Sequence, residues 1–352
     1  MSDSDQAVRD VIQARKAMLA AAIVQRQWKL RPDLERRYGP EGYAKCLEDA
    51  QFHLQYLAEA IGASEPKLFS DYITWAKVML GSRKIPTEDL WSHLQVVRDV
   101  VADALPEDMR GTAQAYVNSA IETFPRYPFE VPTLLDDSNP LSELARSYLT
   151  SLLRFERHVA TKLIQDAVES GASIKDIYCH VFESCQREIG RLWQLNSATV
   201  AQEHYCTAST QLVMALLYPR MFADNRPKIG TIVAACVPGE LHELGPRILC
   251  DLLEMEGWDT IYLGANLPQA SLLQTVKARR PAMVAISATM TFHINAVRQV
   301  VSALRSSDVD PEMKIMVGGY AFQHSPELWR SVGADGYAVD ASEAIDLVKR
   351  LR

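Results

Sequence analysis

Apolar residues recur at helical spacing through the first third of the chain. Val8, Val11, Ile12, Met18, Leu19 and Ile23 set the pattern, and Tyr43, Leu47, Leu54, Leu57 and Ile61 continue it. Further segments run from Leu68 to Leu80, Leu90 to Val101 and Thr112 to Ile121, with breaks at Arg31-Pro32, Tyr38-Gly39-Pro40, Gly62, Gly81 and Leu105-Pro106. Thr87, ahead of Glu88 and Asp89, reads as a helix cap followed by first-turn acids. The spacing predicts a compact all-α domain over 1–123 with about six or seven helices, a globin-like arrangement being one option.

From 124 to 140 the periodicity stops. Pro125, Pro128, Pro132 and Pro140, with Asp136-Asp137-Ser138-Asn139, mark a stiff connector. A second helical stretch over 141–222 follows, with segments at Leu144–Phe155, Val159–Val168, Ile174–Trp193 and Val200–Leu217. Amphipathic helices with short turns at Gly171 and Asn196-Ser197 predict an up-and-down four-helix bundle. Ala223 to Lys228 joins it to a third pattern.

Over 228–352 short apolar runs alternate with helical ones. The runs are Ile229–Cys236, Thr260–Leu263, Met283–Ser287, Lys314–Val317 and Gly336–Val339. Strands this uniformly apolar, each followed by a helix, imply a doubly wound parallel sheet covered on both faces, with right-handed crossovers. The expected fold class is therefore multidomain, α plus α/β, ending in a Rossmann-like domain.

Composition narrows the function classes. A chain of 352 residues has room for about two or three domains. Its net charge of −7, with no dense basic stripe or helix-turn-helix pattern, argues against direct nucleic-acid binding. Hydrophobic residues make up 48%, yet no apolar run approaches the roughly 18 needed to span a bilayer. Met1-Ser2-Asp3-Ser4-Asp5 lacks the features of a signal peptide, so the expectation is a cytoplasmic protein with no membrane partner. Cys46, Cys179, Cys185, Cys206, Cys236 and Cys250 show no C-x-x-C spacing, which suggests neither a zinc site nor a disulfide framework.

The chemistry concentrates at predicted strand ends. Val237-Pro238-Gly239-Glu240-Leu241-His242-Glu243-Leu244-Gly245 follows the first strand at the sheet edge where ligands lie in open α/β folds. His242 can offer an imidazole nitrogen to a metal, and Glu240 can bond the other nitrogen and fix the tautomer. Taken alone, the loop reads equally well as a helix-start histidine with no ligand. The third strand ends in Ser287-Ala288-Thr289 and the fourth in Gly318-Gly319-Tyr320, where the glycine pair leaves room for a bulky group near the backbone.

Two further clusters stand outside that edge. In the bundle, Trp193 ends one helix and Glu203-His204 lie about two turns into the next if Ser197 caps it. The indole can then stack on a ligand, and the carboxylate can accept from ribose hydroxyls. In the first domain, His53, His93, Arg83 and Tyr72 could hold a tetrapyrrole with propionates, a core of aromatics with structural histidines being the plainer account.

Taken together, Glu240-x-His242-x-x-Gly245, Ser287-x-Thr289 and Gly318-Gly319 resemble the cobalamin-binding domain that ligates cobalt from below with a loop histidine. The resemblance covers Lys228 to Arg352 and implies His242 as the lower axial cobalt ligand. Glu240 stands where that family usually has Asp, and Thr289 where it usually has Leu. The Trp193-x9-Glu203-His204 pattern resembles the light-sensing adenosylcobalamin regulators. That resemblance implies that Trp193 packs against the adenosyl group, that Glu203 bonds it and that Val200 lies beside it; His204 travels with the motif. In that group a histidine follows the tryptophan and takes the cobalt after illumination. Here the residue is Gln194, which leaves His180, His158 or water for that place.

A long helical domain in place of a DNA-binding one is similar to the photocobilins. This implies biliverdin in the first domain, with His53, His93, Arg83 and Tyr72 as pocket residues and Cys46 as a less favoured covalent site. The function implied is that of a sensory photoreceptor and not an enzyme. Light would break the cobalt–carbon bond of adenosylcobalamin, repack the bundle, and change self-association or docking to an effector or transcription factor. The alternatives are a corrinoid methyl carrier of a methyltransferase system and a cobalamin-dependent antirepressor.

Overall fold

The computed structural model describes residues 3–126, 130–221, 228–325 and 327–352. Pro128 of the expected connector, Phe222 of the expected bundle and positions 223–227 of the expected joint lie outside the described residues. The chain divides into two compact units. One contains Met1–Phe129, Met290–Asn295 and Ala321–Val332; the other contains Glu130–Thr289, Ala296–Tyr320 and Gly333–Arg352.

The first unit is helical, built from α1 (Asp3–Ala14), α2 (Lys16–Leu30), α3 (Asp33–Gly62), α4 (Pro66–Ser82), α5 (Thr87–Ala104) and α6 (Glu107–Thr123). The apolar periodicity becomes a core of Leu54, Leu57, Ile61, Phe69, Leu94, Val97, Val101 and Val117, all buried. Gly39 (φ 61°, ψ −165°) ahead of Pro40 kinks α3 at the expected break. The breaks expected at Gly62 and Gly81 fall slightly later, as α3 includes Gly62 and α4 runs to Ser82, with Ser64 and Lys84 taking positive φ. Thr87 is not a cap. Pro86 holds an extended entry (φ −59°, ψ 140°) and its carbonyl accepts the Asp89 N–H at 3.0 Å, so Thr87 is already the first helical residue. Buried Glu59 accepts from Arg9 Nε at 2.8 Å and from the Asn295 N–H at 3.2 Å.

The second unit begins with α7 (Ser142–Leu153), α8 (Arg157–Glu169), α9 (Ile174–Asp176) and α10 (Ser184–Gln194), then α11 (Val200–Met221). A π-helical segment, Ile177–Glu183, links α9 to α10, a geometry that periodicity alone does not reveal. The cap of α11 is Thr199 rather than Ser197. Thr199 Oγ1 accepts the Gln202 N–H at 3.2 Å, and Gln202 Oε1 accepts the Thr199 N–H at 2.9 Å, a reciprocal capping box, while Ser197 Oγ turns to Leu195 O.

The sheet contains β1 (Thr231–Cys236), β2 (Asp259–Tyr262), β3 (Met283–Ser287), β4 (Lys314–Gly318) and β5 (Gly336–Ala338). Between and after them come α12 (Leu244–Met255), α13 (Gln269–Arg279), α14 (Ile294–Arg305), α15 (Leu328–Ser331), which belongs to the first unit, and α16 (Ala341–Leu351). All pairings are parallel, in the order β2-β1-β3-β4-β5. The direction of winding reverses between β1 and β3, and the crevice at their carboxyl ends is the ligand position of such sheets. The bundle and the α/β layer share one apolar core: Tyr148, Phe182, Ile189 and Met214 cluster with Leu249, Leu252 and Leu253 of α12 and with Ile232, Met283 and Met316 of the sheet. Among the described residues no helix is long and apolar enough to cross a membrane.

The described part of the connector is pinned rather than free. Leu135 is buried in the shared core, and the Glu188 carboxylate on α10 accepts from Thr133 Oγ1 at 3.0 Å and the Leu134 N–H at 2.9 Å. Arg191 grips the same carboxylate at 2.9 and 2.7 Å and donates to Val131 O at 2.9 Å. Asn139 Nδ2 donates to His180 O in the π segment at 2.7 Å. Glu188→Ala removes the carboxylate shared by the half-buried Arg191 guanidinium and the Leu134 N–H, and is expected to cost about 2 kcal/mol in chemical denaturation and to open the connector to proteolysis. A variant as stable and as resistant as the unaltered chain contradicts this.

Candidate functional site

Three strand ends meet in one row, with Cys236 paired to Ser287 and Ser287 to Gly318. The loop after β1 turns Glu240 inward, to 0% exposure. Its Oε1 accepts the His242 N–H at 3.0 Å and lies 2.5 Å from His242 Nδ1; its Oε2 accepts the Thr289 N–H at 2.7 Å. A buried carboxylate is tolerable only when hydrogen-bonded in this way, and here three N–H groups from two loops supply the bonds. The Glu240 hydrogen bond, with the Glu240 and Glu203 charges adding to it and burial opposing, raises the His242 pKa above its ordinary 6.5. With Nδ1 engaged, Nε2 is the ring nitrogen left for a metal, on a side chain 56% exposed. Among the described residues no group of three or more His, Cys, Asp or Glu could hold a metal ion.

The other strand-end candidates differ in how they serve. Ser287 is buried, and its carbonyl accepts the Val237 N–H at 3.4 Å. Thr289 acts through its backbone N–H, a bond any side chain but proline permits. A Cβ on Gly245 would meet nothing within 4 Å, and one on Gly318 only Ala338 O at 3.7 Å. At φ 95° a Cβ on Gly319 would lie 2.3 Å from Ala288 O, so the neighbouring loop of the chain itself demands a glycine here.

On the bundle, Trp193 is half-buried near the end of α10 and its carbonyl accepts the Asn196 N–H at 3.0 Å in the turn. Val200 opens α11 at 51% exposure. Glu203 Oε2 lies 2.6 Å from His204 Nδ1, on an exposed imidazole. Gln194 is buried, His180 is half-buried in the π segment, and His158 is exposed on α8. Glu203 is thus brought within electrostatic reach of His242. Two partners were not singled out in advance: Gln211, two turns along α11 from Glu203, donates to Glu243 Oε1 at 3.0 Å, and Tyr262 OH donates to Glu243 O at 2.9 Å. The helical repeat linking Glu203 to Gln211 was the available signal.

In the first unit His53, Tyr72 and His93 come together. His53 Nδ1 lies 2.8 Å from Tyr72 OH, His93 Nδ1 2.6 Å from Gln27 Oε1, and the two imidazoles 5.1 Å apart edge to face. Burial pushes both imidazoles down, His93 to about 4, and His93 Nε2 has no hydrogen-bond partner among the described residues. Arg83 donates to Met79 O at 2.9 Å at its own helix end. Cys46 is half-buried on α3, and burial with the Asp49 charge raises its thiol, which lowers its reactivity.

A family model described as B12 binding domain matches residues 230–346, and a second of that description matches 144–218. A model described as Phycobilisome protein matches 6–124. The chain is 31% identical over 137 residues to dimethylamine corrinoid protein 3 of Methanosarcina acetivorans, covering 39% of this chain and 63% of that protein, just under two thirds of its length. It is 30% identical over 125 residues to dimethylamine corrinoid protein 3 of Methanosarcina mazei, covering 35% of this chain and 73% of that one. In fold it is similar to the monomethylamine corrinoid protein of Methanosarcina barkeri (TM-score 0.54, 17% identity, 60% of this chain and 100% of that one).

Two titrations follow from this geometry. His242, held by Glu240, favours its proton in the folded chain, so its contribution to stability is present below pH 6.5 and lost as pH rises through the raised value. In Glu240→Gln the ring resonance of His242 should titrate at lower pH by NMR than in the unaltered ligand-free chain; an unmoved midpoint contradicts the assignment. His93 behaves oppositely. Its depressed pKa makes stability fall as pH drops from 6.5 towards about 4, by on the order of 3 kcal/mol once both limits are passed. His93→Gln should flatten that fall in denaturant melts at pH 7 and pH 4.5.

Proposed function

Because the chain belongs to the family of B12-binding corrinoid proteins, we propose that it holds a corrinoid at the carboxyl edge of its sheet, with His242 as the axial ligand to cobalt. The observation that carries this reading is the Glu240–His242 pair, a tautomer-fixed imidazole beside the crevice between β1 and β3. Glu240 holds the proton on Nδ1 and leaves Nε2 to the metal. Ser287 and Thr289 build the neighbouring strand end, Gly318 and Gly319 the next, and Gly245 leaves space free at the start of α12. Trp193, Val200, Glu203 and His204 belong to the bundle that covers the ligand. The bound group supplies a cobalt–carbon bond, open to methyl exchange or to cleavage by light according to its upper substituent.

The dimethylamine corrinoid relatives support use as a methyl carrier, in which case the partner is a methyltransferase. A second reading has its own observation. The Phycobilisome protein match over 6–124 lies outside both B12-binding matches, and it favours a light sensor that pairs adenosylcobalamin with biliverdin near His53, His93 and Tyr72. In that reading the output is self-association or docking of an effector, and Gln194, a neutral amide, leaves any new upper ligand to His180, His158 or water.

The deciding test is an absorption spectrum of the full chain with methylcobalamin, adenosylcobalamin and biliverdin, each in the dark and after green light. Binding should shift the cobalamin bands and His242→Ala should weaken the shift; no shift with either cobalamin removes the corrinoid reading. A light-dependent change in the adenosylcobalamin complex, with a new far-red band from biliverdin, establishes the sensor. Dark exchange of the methyl group with a thiol acceptor, with no light response, establishes the carrier.

A further inference from the structure

The loop that presents His242 is braced by a second loop, Leu263 to Pro268, which follows β2. The parallel ladder runs on past the strand ends, with the Cys236 N–H donating to Gly264 O at 3.0 Å and the Leu267 N–H donating to Cys236 O at 3.3 Å. Asn266 then makes two bonds of opposite sense to one peptide stretch. Its Oδ1 accepts the Gly239 N–H at 2.8 Å, and its own N–H donates to Glu240 O at 2.8 Å. To do so it adopts φ 49°, a left-handed conformation that asparagine tolerates better than most residues. Gly239, its partner, is at φ 85°.

Fixing Gly239 and Glu240 from both sides sets the direction in which the Glu240 side chain leaves the backbone. Among the described residues that side chain bonds both His242 and Thr289, so an error of an ångström at the peptide would pass directly to the imidazole. We propose that Asn266 is a positioning residue for the axial ligand: its clamp on Gly239 and Glu240 places the Glu240 carboxylate and, through it, the His242 imidazole. The proposal rests on the reading that His242 ligates cobalt. Asn266 itself is exposed, so its amide is available for substitution without opening a core.

Two variants separate positioning from general stability. Asn266→Gly keeps the backbone conformation but removes the side-chain acceptor; Asn266→Asp keeps an acceptor oxygen, with its charge in solvent. The full chain, grown with 15N-histidine and loaded with cob(II)alamin, would be read by electron paramagnetic resonance, where an axial histidine nitrogen splits the cobalt lines. N266G is expected to lower the ratio of histidine-ligated to unligated cobalt about tenfold, with the melting midpoint unchanged, and N266D to retain it. Full ligation in N266G, equal loss in N266D, or a melting midpoint that falls along with ligation in N266G each overturns the proposal. If the unaltered chain shows no splitting that depends on the histidine label, the failure is that of the cobalt–His242 reading, and the clamp has no ligand to position.

Discussion

A carboxylate with no exposure to water governs the candidate site. Glu240 is stable where it stands because its two oxygens take N–H groups from the loop after β1 and from the end of β3. Without those donors a buried charge costs several kcal/mol, so the bonds and the loop conformation are mutually required. The sheet order brings them within reach: β1 and β3 are neighbours, in register to Cys236 and Ser287, and the chain turns away from the sheet at both. The Ala288 N–H, next to Thr289, donates to Gly318 O at 3.0 Å and carries the same constraint to the end of β4.

A second set of polar contacts ties the bundle to this loop. Glu203 and Gln211 lie on one face of α11, the first within electrostatic reach of His242 and the second bonded to Glu243. Farther along the same junction, Tyr178 of the π segment donates to Asp251 of α12 at 3.0 Å, and burial raises Asp251 to about 6. These bonds sit on a shared apolar core, so α11 is held against the α/β layer by packing and aimed by a few directional contacts. A ligand between Glu203 and His242 would touch both layers at once.

Fold class was legible because each layer has its own period. Helical spacing marks the first unit and the bundle, while short uniformly apolar runs mark a buried parallel sheet, and the strands lie within two residues of those runs. The spacing of Glu240, His242 and Gly245 also placed the central pair on one turn. What stayed hidden depends on distance along the chain or on backbone geometry. Nothing local tells that Thr199 and not Ser197 caps α11, since the answer lies in Gln202 returning the bond. The grip of Asn266 on Gly239 and of Gln211 on Glu243 joins segments far apart in sequence. The π segment and the pinning of the connector on Glu188 arise from packing, which periodicity does not encode.

Two departures from the family pattern look different once the bonds are placed. Thr289 for Leu leaves the carboxylate contact intact, because the backbone N–H makes it. Glu240 for Asp adds one methylene and therefore one more torsion, yet the same oxygen still reaches both the His242 N–H and the ring nitrogen. A longer acid has more ways to leave its backbone, and confining it demands more from its surroundings. The paired bonds that hold Gly239 and Glu240 against the loop after β2 meet that demand, so the substitution and the brace form one arrangement.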